Sequence, residues 1–236
     1  MRVIRRVAIL VASSLLAGSA PARAQVLIGA LAGDKLASET FNLGFEVGLD
    51  FSTLDGLSGA ERNKRPVFGL FADWRFSEHV HFTGAFLPIG GRGASNLRPA
   101  PTGDPAIDGQ TGDALATRTL STIEFPLRLH WAPKRDSGFR AGAGASFAII
   151  TGANDRYEVP SASGTYVLER DVGDLLPGLD FGVCADVEWR FKMLAIAVRY
   201  THGLTDLRLP GETDGVHSRV LTGTGRIALG RKRSAP

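Results

Sequence analysis

Strict period-2 alternation along several segments, connections that run alternately long and short, and three tryptophans gathered near one set of strand ends together predict an all-β fold. The predicted architecture is an eight-stranded antiparallel up-and-down transmembrane β-barrel with short periplasmic turns and long external loops.

The clearest strand is Leu179 to Phe191. Leu179, Phe181, Val183, Ala185, Val187, Trp189 and Phe191 share one face, while Asp180, Gly182, Cys184, Asp186, Glu188 and Arg190 share the other. In the run from Ile123 to Trp131, Ile123, Phe125, Leu127, Leu129 and Trp131 oppose Glu124, Pro126, Arg128 and His130. In Phe41 to Phe51 the apolar set Phe41, Leu43, Phe45, Val47, Leu49 and Phe51 opposes Asn42, Gly44, Glu46, Gly48 and Asp50. Segments near 66–76, 79–89, 138–150, 193–204 and 218–229 follow the same rule and bring the strands to eight. Each has the length a tilted strand needs to cross a bilayer.

The connections support the same topology. Long ones fall near 52–65, 90–117, 151–178 and 205–217, and short ones near 77–78, 132–137 and 192. In the third long connection, Arg156–Val159 and Thr165–Glu169 flank Pro160-Ser161-Ala162-Ser163-Gly164. That pattern predicts a small external hairpin, with Tyr157 and Tyr166 offering contacts to a partner. Trp74, Trp131 and Trp189 each lie on an apolar strand face close to a short turn, which predicts a lipid-interface girdle at the periplasmic rim.

Residues 1–24 read as a cleaved signal peptide. Arg2, Arg5 and Arg6 precede the apolar run Val7–Ala17, and Ala22-Arg23-Ala24 forms a small-residue cleavage site. That apolar run is shorter than the roughly 20 residues of a membrane helix. Removing 24 of 236 residues leaves 212, enough for one domain. The leader takes four of the 27 basic residues and none of the 24 acidic ones, so the remainder stands at 23 against 24 and has no basic excess to suit a nucleic-acid partner. The organisation is therefore a signal peptide at 1–24, a lead-in at 25–40, a barrel domain at 41–230 and a basic tail at 231–236. Cys184 is the lone cysteine, so no intramolecular disulfide forms.

The inward face carries Glu46, Asp50, Asp73, Arg75, Glu124, Arg128, Arg140, Asp186, Glu188, Arg190, Arg199 and Arg226. Eight strands enclose only enough room for side chains, so these charges are expected to pair across a filled lumen rather than line a pore. Inward glycines such as Gly44, Gly48, Gly142, Gly144 and Gly182 make space for them.

No motif outweighs this structural reading. His79 and His81 have no third ligand near them, and no metal or other cofactor is expected. Asp104, Asp108 and Asp113 do not match a calcium loop. Gly91-Arg92-Gly93 and Gly142-Ala143-Gly144 open no helix and are not phosphate loops. Neither G-x-S-x-G nor H-E-x-x-H occurs. The nearest catalytic grouping is His202 with Asp206 and Ser52 at the outer rim, so a rim enzyme acting on lipid or peptide is kept as an alternative. A soluble lipocalin-like carrier is the other, but it requires the apolar face to point inward.

Phe41–Leu54 (FNLGFEVGLDFSTL), Ile123–Leu129 (IEFPLRL), Phe139–Thr151, Ala197–Leu207 (AVRYTHGLTDL) and Arg219–Leu229 resemble the PorT-type outer-membrane β-barrel family, as does Gly33-Asp34-Lys35-Leu36 before the first strand. The resemblance implies an outer-membrane location and an eight-stranded barrel, and it implies no enzymatic activity. The expected partners are outer-membrane lipid, the barrel assembly machinery, and an extracellular or secretion partner at the loops. The last strand ends near Leu229-Gly230 instead of on a terminal aromatic residue, which departs from the usual assembly signal.

Overall fold

The computed structural model describes residues 40–99, 105–109, 111, 114–133, 138–161, 164–191 and 193–229. The signal peptide, nearly all of the lead-in and the basic tail lie outside these residues, as do Asp104 and Asp113.

The strands are β1 (Phe41–Asp55), β2 (Glu61–Arg75), β3 (Val80–Leu97), β4 (Leu115–Trp131), β5 (Phe139–Ser161), β6 (Gly164–Asp171), β7 (Leu179–Phe191), β8 (Leu194–Gly203) and β9 (His217–Leu229). A four-residue helix, α1 (Pro105–Asp108), sits between β3 and β4. Eight strands form the ring β1-β2-β3-β4-β5-β7-β8-β9, which closes where β1 meets β9 and where β4 meets β5. Every pairing in the ring is antiparallel. Closure matters physically, because a sheet crossing lipid must leave no backbone edge unpaired.

β6 stands outside the ring. It pairs with the upper part of β5 from Asn154↔Asp171 to Ser161↔Gly164, forming the external hairpin expected from its composition.

The strands are longer than the alternation indicated, and in β3 and β5 a β-bulge explains why. Between β4 and β5 the register steps from Thr122↔Ile150 to Ser121↔Gly152, which leaves Thr151 as an extra residue. Below it the even-numbered residues Arg140, Ser146 and Ala148 are buried; above it the odd-numbered Ala153, Asp155, Tyr157 and Val159 are. In β3 a similar step occurs between Leu87 and Gly90, where Pro88 and Ile89 both face outward. The inward set changes there from His81, Thr83, Ala85 and Leu87 to Arg92 and Ala94. A bulge breaks period 2 by one residue, so the pattern looks finished while the strand goes on.

These extensions correct the expected connections. The first external loop shrinks from 52–65 to 56–60 and is shorter than the periplasmic connection at 132–138. The other external connections, at 98–114 and 204–216, remain long.

The outward face of the lower strands carries Val47, Leu49, Leu127, Leu129, Phe181, Val183, Ile196 and Val198, all exposed. About ten residues of each tilted strand give a belt roughly 25 Å tall. Trp74, Trp131 and Trp189 lie at its lower edge, 39%, 57% and 55% exposed. Phe41 and Phe82 flank Trp74 with ring centroids 5.0 and 5.8 Å away, and Phe139 and Phe191 flank Trp189 at 6.3 and 6.2 Å.

Candidate functional site

The interior changes character with height. At the periplasmic end, Arg140 donates to Asp73 Oδ1 at 2.6 Å and to Glu188 Oε2 at 3.0 Å. Arg190 pairs with the same two carboxylates and lies 3.0 Å from Asp73 Oδ2. One level up, Arg226 bridges Glu46 at 3.0 Å and Glu188, with its guanidinium 5.5 Å from the centre of the Phe71 ring. Arg199 reaches the other Glu46 oxygen at 3.2 Å, and Arg128 donates to Asp186 at 2.8 Å. His130 lies between, with Nε2 2.8 Å from Asp186 and Nδ1 3.2 Å from Thr83 Oγ1. Higher still, Thr222 donates to Asp50 at 2.7 Å. Arg92 joins Glu124 at 3.1 Å, Asp180 and the Ser218 hydroxyl at 3.0 Å.

The lumen residues named from the sequence are thus brought together as a ladder of ion pairs, with two exceptions. Asp50 is buried on the ladder but is held by the Thr222 hydroxyl. Arg75 is half-buried at the periplasmic rim and takes part in none of these pairs. Arg128, Arg226 and Arg92 are among the largest side chains that are fully buried. Isolated charges buried this deeply would be prohibitive, whereas mutual pairing with hydrogen bonds makes them tolerable.

Above Arg92 the interior turns apolar. Leu54, Ala94, Leu97, Leu120, Ala153, Tyr157, Val159, Val172, Leu207, Leu209 and Val216 form a buried cluster that closes the external mouth. The upper strands supply one part of this cap, and the connections at 172–178 and 204–216 fold in to supply the rest.

One polar group is embedded in the cap. Arg118 grips Asp155 through two bonds, Nε to Oδ1 at 2.8 Å and Nη2 to Oδ2 at 2.9 Å, and Nη2 also lies 2.9 Å from Glu212 Oε1. Burial alone would lower the arginine's pKa. Asp155 and Glu212 more than offset that and raise it, so the group stays charged. The second Glu212 oxygen accepts from the Leu209 amide at 2.8 Å and pins the loop above the cap. Burial, then the neighbouring Asp155 charge, pushes the Tyr157 phenol up.

Several expected placements are corrected. Tyr157 is only 3% exposed and faces into the cap, because the bulge at Thr151 turns the odd-numbered residues inward; it is not presented on the outer face of the hairpin. Tyr166 remains outside, on β6. The possible catalytic grouping does not assemble. Ser52 is buried inside and donates to the Gly93 carbonyl at 3.0 Å, whereas His202 pairs in register with the outward residues Val183 and Arg219. Asp206 instead caps its own loop, accepting from the Val216 and Arg208 amides at 2.9 and 3.1 Å. The Val216 bond, opposed by slight desolvation and helped by the Arg208 amide, holds its carboxyl below the usual value. His81 points inward, 3.8 Å from Asp73, while His79 sits exposed at the turn, so the two do not share a site. Among the described residues no group of three or more metal-ligating side chains gathers.

Arg92, Arg118, Asp155 and Glu212 were not singled out from the sequence. Arg118 was within reach of it: the even-numbered face of Glu124 continues backwards through Thr122, Leu120, Arg118 and Ala116 without a break.

No curated protein matches the chain in sequence. Solved structures of similar form include Neisserial surface protein A, 12% identical over 78% of this chain and 96% of that one, with a TM-score of 0.41. They also include Ail, the attachment invasion locus protein of Yersinia pestis, at 11% identity over 80% and 100% with a TM-score of 0.39. The outer membrane protease OmpT of Escherichia coli matches at 11% identity over 80% and 97%, with a TM-score of 0.34. The family model described as the outer membrane protein beta-barrel domain matches residues 32–208, most of the chain. The closed ring agrees with that match, the apolar belt outside a charged lumen does not suit a soluble carrier, and the chain belongs to the outer membrane protein β-barrel domain family, a protein of the outer membrane.

Proposed function

We propose that the protein is a closed, non-enzymatic outer-membrane barrel that serves as a rigid platform for binding at the cell surface. The observation that carries this reading is closure at two successive levels. The lumen is filled by paired arginines and carboxylates, and the external mouth is sealed by the apolar cap. What remains outside is built on strands that continue above the belt, with the β5–β6 hairpin at the top. Strand-built surfaces hold their geometry better than loops, which suits recognition.

The partners on this reading are membrane lipid around the belt, the barrel assembly machinery during export, and an extracellular or secreted partner at the hairpin. The finer placement among PorT-type barrels rests on Glu124-Phe125-Pro126-Leu127 and on the segment Arg199–Asp206. The former contributes Glu124 and the latter Arg199 to the lumen ladder.

The test is conductance. The purified full chain, shown folded by a boiled-versus-unboiled gel shift, is reconstituted into a planar bilayer. The closed barrel gives no reproducible current steps; a stable unit conductance overturns the proposal.

A further inference from the structure

The cap is not smooth on its external side. A cleft of about 450 Å³, counting the part open to solvent, runs between Leu57, Leu97, Tyr157 and Leu209. Its polar wall is unbalanced. Arg98, Arg118 and Arg170 line it from three separate parts of the chain, against Asp155 and Glu212 among the described residues. Both carboxylates are already held by Arg118. Among the described residues, the lining of the cleft therefore carries one positive charge more than it has acid to neutralise.

A second observation concerns the Arg118 guanidinium itself. Arg118 is only 5% exposed, and its Nη1 has no hydrogen-bond partner. Nε and Nη2 are fully engaged, so the unused donors are confined to one corner of the guanidinium. A buried donor left unsatisfied is costly, and a charged one more so. Arg170 approaches the same place through its contact with the Tyr157 hydroxyl. Donors converging from several directions suit an anion with oxygens on all sides better than a flat carboxylate.

We propose that this external cleft binds a tetrahedral oxyanion, phosphate or sulfate, free or carried on a sugar. The proposal rests on the surface-binding reading above and names a ligand class for it. The Arg118 corner supplies a buried charge-assisted bond, and Arg98 and Arg170 close over the anion from the solvent side. The apolar walls formed by Leu57, Leu97 and Leu209 limit how much of a carrier can follow the anion inside.

Isothermal titration of the folded full chain in detergent, at constant ionic strength in chloride, tests this. Inorganic phosphate, sulfate, glucose 6-phosphate and acetate are compared. One equivalent of inorganic phosphate or sulfate is expected to bind with a Kd of roughly millimolar or tighter, and acetate about tenfold more weakly. Replacing Arg118 strands two buried carboxylates and risks the fold, so the variants are Arg98→Gln and Arg170→Gln. Each is expected to weaken phosphate about tenfold while keeping the gel shift of a folded barrel. Glucose 6-phosphate binding at least as well as inorganic phosphate identifies a sugar-borne anion; exclusion of the sugar phosphate identifies the free ion. Absence of binding by all the tetrahedral anions, or equal binding in parent and both variants, overturns the proposal. A silent bilayer without phosphate binding leaves the closed-barrel reading standing without this ligand, and a conducting barrel that still binds phosphate does the reverse.

Discussion

Arg92 offers the sharpest test of how dry the barrel is. It is fully buried where the polar lumen meets the apolar cap, and it joins Glu124 to Asp180. Replacing it with methionine keeps the bulk and removes the charge, stranding two carboxylates. Breaking a buried pair by removing one partner costs about 3–5 kcal/mol. Two carboxylates are affected here, yet Ser218 still donates to Asp180 at 2.6 Å and Thr122 to Glu124 at 3.2 Å. Each surviving bond offsets about 1–2 kcal/mol, which leaves a net loss of about 5 kcal/mol for Arg92→Met. The assay is equilibrium unfolding in urea from lipid vesicles, followed by the emission of Trp74, Trp131 and Trp189. The control is the triple variant Arg92→Met, Glu124→Gln, Asp180→Asn, in which no charge is left unpaired. It is expected to recover to within about 1–2 kcal/mol of the parent. A single variant that loses less than about 1 kcal/mol would refute the reasoning, because it would mean that water reaches the carboxylates and that the mouth is not sealed.

Three further outcomes follow from the same geometry. A side chain at Gly142 would drive its Cβ into the His130 ring and to 2.8 Å from Asp186 Oδ1, so Gly142→Ala is expected to destabilise the barrel by about 1–3 kcal/mol in the same urea assay. The Asp206 carboxyl is held below its ordinary value of 3.8, so what it contributes to the 204–216 loop is present in full above that pH. That contribution is lost as pH falls through the depressed value. Hydrogen exchange at the Val216 amide, which donates to Asp206, should accelerate there relative to other loop amides once intrinsic pH effects are corrected, and Asp206→Asn should abolish the difference. Lipids brominated near the headgroup should quench all three tryptophans and aqueous iodide should quench none strongly, since all three lie exposed at the lower edge of the apolar belt.

The lower half of the barrel was legible because lipid imposes a simple rule. Every second residue must be apolar on the outside, and β7 and the stretch of β8 from Leu194 to Tyr200 obey it without interruption. The lumen charges were legible for the same reason, as the remaining half of the alternation. Above the belt the rule lapses, since water accepts Asn154, Arg156 and Glu158 on the outer face as readily as it would a loop. The bulges then remove the period itself, which is why β3 and β5 looked shorter than they are and why Arg92 lay in an apparent loop. The cap was not legible at all. Its members come from widely separated segments, such as Leu54, Tyr157 and Leu209, and only the closed ring brings them into contact. Tyr157 shows the same limit, because a single extra residue at Thr151 decides whether it meets a partner or the core.

The change of polarity along the strands also fixes how deep the molecule sits. Below the bulge in β5 the outside is greasy, with Phe147 and Ile149; above it the outside is Asn154, Arg156 and Glu158 around an apolar cap. The lower half is thus soluble only in hydrocarbon and the upper half only in water. Sinking the barrel by two residues per strand, about 5 Å along the membrane normal, would begin to draw that charged collar into the bilayer. Arginine on a lipid-facing barrel wall costs up to about 2–4 kcal/mol at the midplane, and less near the interface. Raising the barrel by as much would lift the tryptophan rim out of the headgroups and wet the apolar belt. The protein therefore carries its own waterline, and the height at which its hairpin stands above the cell surface is written into the chain rather than left to the membrane.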